Sequence, residues 1–157
     1  MSLRGRSALV AGGAGGLGAA TVHRLAGCGM HVIVLDRAPD GSRAGAGTLA
    51  SAAALVDGDV NDDGDVDRAI GRARSLGVLS VVANVAGGAG RGGPVVDGDG
   101  VPHPAASFAR TMVSNAFGTF NVVRLAAAAM GEKGMAWVER EWRWQLVAAR
   151  LERILAG

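Results

Sequence analysis

Ser7–Gly18 reads SALVAGGAGGLG and narrows the possible folds more than any other stretch of the chain. Ala8-Leu9-Val10-Ala11 is a short apolar run of the kind that forms a strand buried on both faces. It leads directly into a glycine cluster, and a helix-forming segment begins at Leu17. Strand, glycine turn and helix start make the phosphate-cradling half of a dinucleotide site. Glycines let the backbone turn tightly and approach a pyrophosphate, while the unpaired N–H groups of the helix's first turn face its oxygens. The spacing alone weighs little, because the chain has 26 glycines in 157 residues. Two frames fit, Gly13-x-Gly15-x-x-Gly18 and Gly12-x-x-x-Gly16-x-Gly18. Asp36 decides against a plain glycine-rich loop. It ends the next apolar run, His31–Leu35, close to the roughly 20-residue offset of a ribose-binding carboxylate.

The same alternation continues along the chain. The first helix runs from Leu17 to about Gly27 and stops at Gly27 and Gly29. His31–Asp36 and Ala53–Val56 are the next strands, separated by Arg37–Ser51, whose Gly, Ala, Ser and Pro allow only a short or frayed helix. Asn61 or Asp62 caps a helix whose apolar positions are Val66, Ala69, Ile70, Ala73 and Leu76. Val78–Ala83 forms a fourth strand and runs into Asn84-Val85-Ala86-Gly87. A glycine- and proline-rich loop, Gly88–Pro104, precedes a long helix over Ala105–Met130. Strands alternating with helices predict an α/β fold with a parallel sheet and right-handed crossovers.

Composition breaks at residue 132. Every Glu, the single Lys and all three Trp lie in Glu132–Gly157. Val138, Trp142, Leu146 and Ala149, with Leu151, Ile154 and Leu155 beyond, predict an amphipathic helix in a divergent tail. That helix either closes an exposed core or offers itself to a partner. Such a discontinuity reads as a different origin, a frameshift or an exchanged end.

Several functions are disfavoured by what the chain lacks. Its net charge is only +2, and no basic stripe interleaved with aromatics precedes the tail, which argues against nucleic acid. One cysteine, Cys28, forms no internal disulfide and suits a reducing compartment. No apolar run reaches membrane-spanning length, and a cytoplasmic location is the expectation. Asp59-x-Asn61-x-Asp63-Gly64 begins like a calcium loop, yet Ile70 stands where a bidentate Glu is required, so it reads as a helix cap. His23, His31 and His103 are too scattered for a metal site.

These motifs together resemble the short-chain dehydrogenases/reductases. Ala11–Gly18, Asp36, Asp59-Val60, Asn84–Gly87 and Asn115-Ala116-Phe117-Gly118-Thr119-Phe120-Asn121 fall in that family's order and spacing. Asn115–Leu125 looks especially like its type-2 3-hydroxyacyl-CoA dehydrogenase (17β-hydroxysteroid dehydrogenase type 10) branch. The resemblance implies that Gly12, Gly16 and Gly18 form the pyrophosphate turn, with Gly15 and Leu17 also lining the cofactor. Asp36 would accept bonds from the adenosine ribose and favour NAD over NADP, although Arg37 stands beside it. Asp59 would hold the adenine amino group, and Val60 would pack on the ring. Asn84, Val85, Ala86 and Gly87 would pass beneath the nicotinamide ribose, and the fold the resemblance implies for residues 1–131 is α/β, a partial Rossmann-type doubly wound parallel sheet of order 3-2-1-4.

The departures from the family pattern bear on activity. Ala11 replaces a usual Thr, and Ser80 replaces an Asp common before the fourth strand. Members move a proton with a Tyr-x-x-x-Lys pair assisted by a Ser, but this chain has no tyrosine, and its one lysine is Lys133 in the tail. Asn115 is the one family catalytic residue present, where it would help hold a proton-relay water. The expectation is a family oxidoreductase acting on a hydroxyacyl-CoA or other secondary alcohol or ketone, inactive alone. The alternatives are a nucleotide- or partner-binding module without catalysis and the product of a frameshifted reading frame. Apolar Phe117, Phe120 and Val123 on the long helix suggest a homo-oligomer formed through that helix or the tail.

Overall fold

The structure, a computed structural model, describes residues 3–37, 53–88 and 92–131. The expected short helix after Arg37 and the tail helix lie outside them, as does Lys133. Four parallel strands, β1 (Arg6–Ala11), β2 (His31–Asp36), β3 (Ala53–Asp57) and β4 (Val78–Asn84), form one sheet ordered β3-β2-β1-β4. Two helices alternate with them, α1 (Gly16–Gly27) and α2 (Asp63–Leu76). The chain steps one way from β1 to β3 and then crosses back to β4. Right-handed crossovers therefore put α1 and α2 on opposite faces of the sheet.

The pleat sorts the core into those two layers. Ala8, Val10, Val32 and Val34, at alternate positions, join Val22 of α1 and Met30 in one buried cluster. Their neighbours Leu9, Ile33 and Leu35 are equally buried, as are Val66, Ala69, Ile70 and Ala73 of α2. α2 lies against β1 and β2. Burying both faces explains why β1 and β2 read as unbroken apolar runs. Asp62 caps α2 by accepting the Asp65 N–H at 2.9 Å, a contact of about 1 kcal/mol in comparable helices.

Ser80 stands inside β4 and not before it. The pairing of Ser7 with Leu79 and of Ala8 with Val81 leaves Ser80 as the extra residue of a bulge. Its hydroxyl accepts from Arg6 Nη1 at 3.2 Å and donates to the Val78 carbonyl at 2.9 Å.

Ala105–Met130 is helical throughout but not uniform. α3 (Ala105–Met112) widens into a π turn over Val113–Phe117 before α4 (Gly118–Met130). Among the described residues, Phe108, Met112, Phe117, Phe120 and Val123 leave a large part of their surface exposed. α4 reaches the sheet through its other side, where Val122 and Asn121 are buried. Met1–Ala126 is one compact unit and Ala127–Gly157 another. No helix among the described residues is long and apolar enough to cross a membrane.

Candidate functional site

The sheet's C-terminal ends bring the sequence motifs together. Beyond β1, the Gly12 N–H donates to the Leu35 carbonyl at 2.8 Å, and the Val85 N–H donates to the Ala11 carbonyl at 2.9 Å. The Gly58 N–H donates to the Asp36 carbonyl at 3.1 Å. The loops after all four strands thus start from one edge, at the point where strand order reverses. Ligands of open parallel sheets bind in the crevice at such a point. A cleft of about 310 Å³ opens there. Its lining includes Gly12, Gly15, Asp36, Arg37, Asp59 and Val60, with Val85, Ala86 and Gly87 from the end of β4.

The glycine turn has a clear division of labour. Gly12 has φ +79°, and a Cβ on it would stand 2.5 Å from the Ala86 nitrogen. A Cβ on Gly18 would stand 2.0 Å from the Gly12 carbonyl oxygen, so these two glycines let the turn, α1 and the β4 loop approach one another. Gly16, by contrast, has open space around the Cβ position. Gly13 belongs to the packing, since a Cβ there would meet the Val34 methyls. Gly12, Gly13 and Gly18 are therefore the glycines of close approach in this turn. Gly15 occupies the N-cap of α1, where no side chain caps the helix. Leu17 is 81% exposed and, like Gly16, Gly18, Asn84 and Asn115, does not line the cleft.

Asp36 links two walls of the cleft. Its Oδ2 accepts from the Ala14 N–H of the glycine turn at 2.8 Å, and its Oδ1 accepts from the Arg37 N–H at 2.9 Å. Arg37 Nη1 lies 3.9 Å from Asp59 Oδ2. Asp59 Oδ1 accepts both the backbone and side-chain N–H groups of Asn61, at 2.9 Å each, which orders the loop entering α2. The Asp59 N–H donates to Asp65 Oδ2 at 2.8 Å, and this bond holds the Asp65 carboxyl below its usual range. Asp63 is likewise lowered by its hydrogen bonds from Arg124 on α4. The acidic residues that resemble a calcium loop are thus engaged in capping and ion pairing.

Further residues complete the site, several of them inside the family motifs. Ala14, Leu35, Gly58 and Ser114 also line the cleft. Asn121 is fully buried and donates to the Val60 carbonyl at 2.9 Å, fixing the residue that closes the cleft. Gly118 lets α4 come close, since a Cβ there would stand 2.6 Å from Val60 Cγ2. Asn84 donates to Thr119 Oγ1 at 2.7 Å and ties β4 to α4. Asn115 sits in the π turn and uses both ends of its amide on one residue. Its Oδ1 accepts the Gly88 N–H at 2.9 Å, and its Nδ2 donates to the Gly88 carbonyl at 3.1 Å. Gly87, at φ +148°, fits beneath it, because a Cβ there would be 2.6 Å from Asn115 Oδ1. These contacts brace the wider turn, which a sequence period of 3.6 does not signal.

Comparison with known proteins agrees with this geometry. The family described as short chain dehydrogenase matches residues 6–137. Human 3-hydroxyacyl-CoA dehydrogenase type-2 is 36% identical over 132 residues, which are 83% of this chain and 51% of that protein. The Drosophila melanogaster protein of the same name is 38% identical over 124 residues, covering 78% and 49%. The crystal structure of 3-hydroxyacyl-CoA dehydrogenase type-2 from Mycobacterium avium superposes with a TM-score of 0.71 at 40% identity, over 80% of this chain and 49% of that one. The chain spans about half the length of the relatives it matches. With that match extending over β1 to α4, the chain belongs to the short-chain dehydrogenase/reductase family of oxidoreductases.

Proposed function

We propose that the chain binds NAD, in preference to NADP, and carries out no hydride transfer alone. The observation that carries the reading is Asp36, a carboxylate in the cleft wall bonded to the glycine turn. Two ribose hydroxyls can donate to such a group, whereas a 2′-phosphate brings like charge against it. Gly12, Gly15 and Gly16 would admit the pyrophosphate to the N-terminus of α1, where the helix dipole favours an anion. Asp59 and Val60 would take the adenine, with Asn84–Gly87 along the adjoining ribose. When bound, the nicotinamide supplies a hydride acceptor. The chain has no tyrosine, the residue with which the family moves the substrate's proton. The substrate class is that of the relatives' name, a hydroxyacyl-CoA, or another secondary alcohol or ketone.

Calorimetric titration of the full chain with both cofactors tests the selectivity. Asp36→Ala is expected to weaken NAD binding about tenfold, as loss of bonds to a charged acceptor does, and to leave NADP unchanged or improved. Equal affinity for the two cofactors in the unmodified chain would remove Asp36 from this role.

A further inference from the structure

Val60 forms part of the cleft wall without belonging to a strand or a helix. It lies between β3 and α2 and is buried. Its neighbours Asp59 and Asn61 are bonded to each other, and Asp59 is bonded to Asp65 of α2. Val60 between them is tied elsewhere. Asn121 Nδ2 of α4 donates to its carbonyl at 2.9 Å, and among the described residues Val60 has no other hydrogen bond. Gly118 and Arg124 stand three residues to either side of Asn121, and residues so spaced are neighbours on a helix. Gly118 lets α4 meet the Val60 side chain, and Arg124 holds both oxygens of Asp63 at 2.6 Å. One side of α4 thus fixes the loop that carries Asp59 and Val60.

The amide is an expensive choice for that place. Asn121 is fully buried, and its Oδ1 has no hydrogen-bond partner among the described residues. A buried unpaired oxygen destabilises, and an apolar side chain of similar size would not bring one. Packing alone therefore favours leucine. What asparagine does there and leucine cannot is donate to the Val60 carbonyl. We propose, on the reading above in which Asp59 and Val60 take the adenine, that Asn121 is a positioning residue for base recognition. Through Val60 it sets where the adjoining Asp59 carboxylate meets the purine. Asn121 does not itself line the cleft, so it acts only through that loop.

The test compares, by calorimetry on the full chain, NAD with nicotinamide hypoxanthine dinucleotide, in which a carbonyl replaces the adenine amino group. The unmodified chain is expected to bind NAD about tenfold more tightly, because only the amino group can donate to Asp59 from that position. In Asn121→Leu the two ligands are expected to bind within about threefold of each other. Gly118→Ala, whose methyl presses on Val60 Cγ2, is expected to show the same loss of preference and decides the matter if melting curves show Asn121→Leu unfolded. Arg124→Gln cuts the tie to Asp63 without touching Val60 and is expected to keep the preference. If NAD binds but its preference stays intact in Asn121→Leu and Gly118→Ala, whatever the loss of affinity, Asn121 serves the fold alone and the proposal is overturned. Equal binding of the two ligands by the unmodified chain overturns it as well. If neither ligand binds the unmodified chain, the dinucleotide reading fails and this one with it.

Discussion

Purified full chain mixed with NAD and a 3-hydroxyacyl-CoA will form no NADH above background, at a rate at least ~10³-fold below that of the Mycobacterium avium relative. Positioned acid–base groups contribute roughly 10²–10⁴-fold to such reactions. An alcohol losing hydride must also lose a proton, and the chain has no tyrosine to take it. Asn115 is no substitute. An amide has no useful basicity, and both of its ends are already bonded to Gly88. NADH formation that disappears in Asn115→Ala would contradict this and require another base near the cleft.

The second large effect separates glycines that hold the fold from those that admit a ligand. Gly18→Ala places a methyl 2.0 Å from the Gly12 carbonyl oxygen, where only backbone could move aside. Overpacking of this kind costs about 3 kcal/mol, a large part of the roughly 5–15 kcal/mol that holds a domain folded. The expected result is a melting temperature lower by about 10 °C. Gly16→Ala has the opposite sign. Its Cβ meets nothing within 4 Å, and alanine in a helix is favoured over glycine by up to ~1 kcal/mol. That variant should melt no lower than the unmodified chain yet bind NAD at least about tenfold more weakly, because the methyl occupies the pyrophosphate's approach. An unchanged NAD affinity in Gly16→Ala would mean that the Gly12, Gly16, Gly18 frame is not a phosphate cradle.

Why some of this was legible in the amino-acid order and some was not follows from where each signal resides. Ala8–Ala11 and Val32–Leu35 announce themselves because a strand segment buried on both faces must be apolar at every position. Alternation of strands and helices makes the sheet parallel, while its order 3-2-1-4 is legible only through the family resemblance, and the structure shows it. Asp62 is legible as a cap because its role is local. The part that each glycine plays is not local. It turns on Gly13 meeting Val34 and Gly12 meeting Ala86, contacts between segments far apart in the chain. The same holds for Ser114 and Asn121, whose parts depend on a π turn and on the approach of α4 to Val60. Ser80 looked like a simple replacement, but its meaning lies in a bulge set by the pairing with β1.

The central claim, that this chain holds a dinucleotide in the cleft at the ends of β1, β2, β3 and β4, is tested most directly by amide NMR during titration with NAD. The expected result is saturable shifts concentrated on Gly12–Gly18, Asp36–Arg37, Gly58–Val60, Val85–Gly87 and Ser114, with the midpoint moved to about tenfold higher NAD in Asp36→Ala. Unchanged spectra at millimolar NAD, or shifts lying away from these segments, would contradict it.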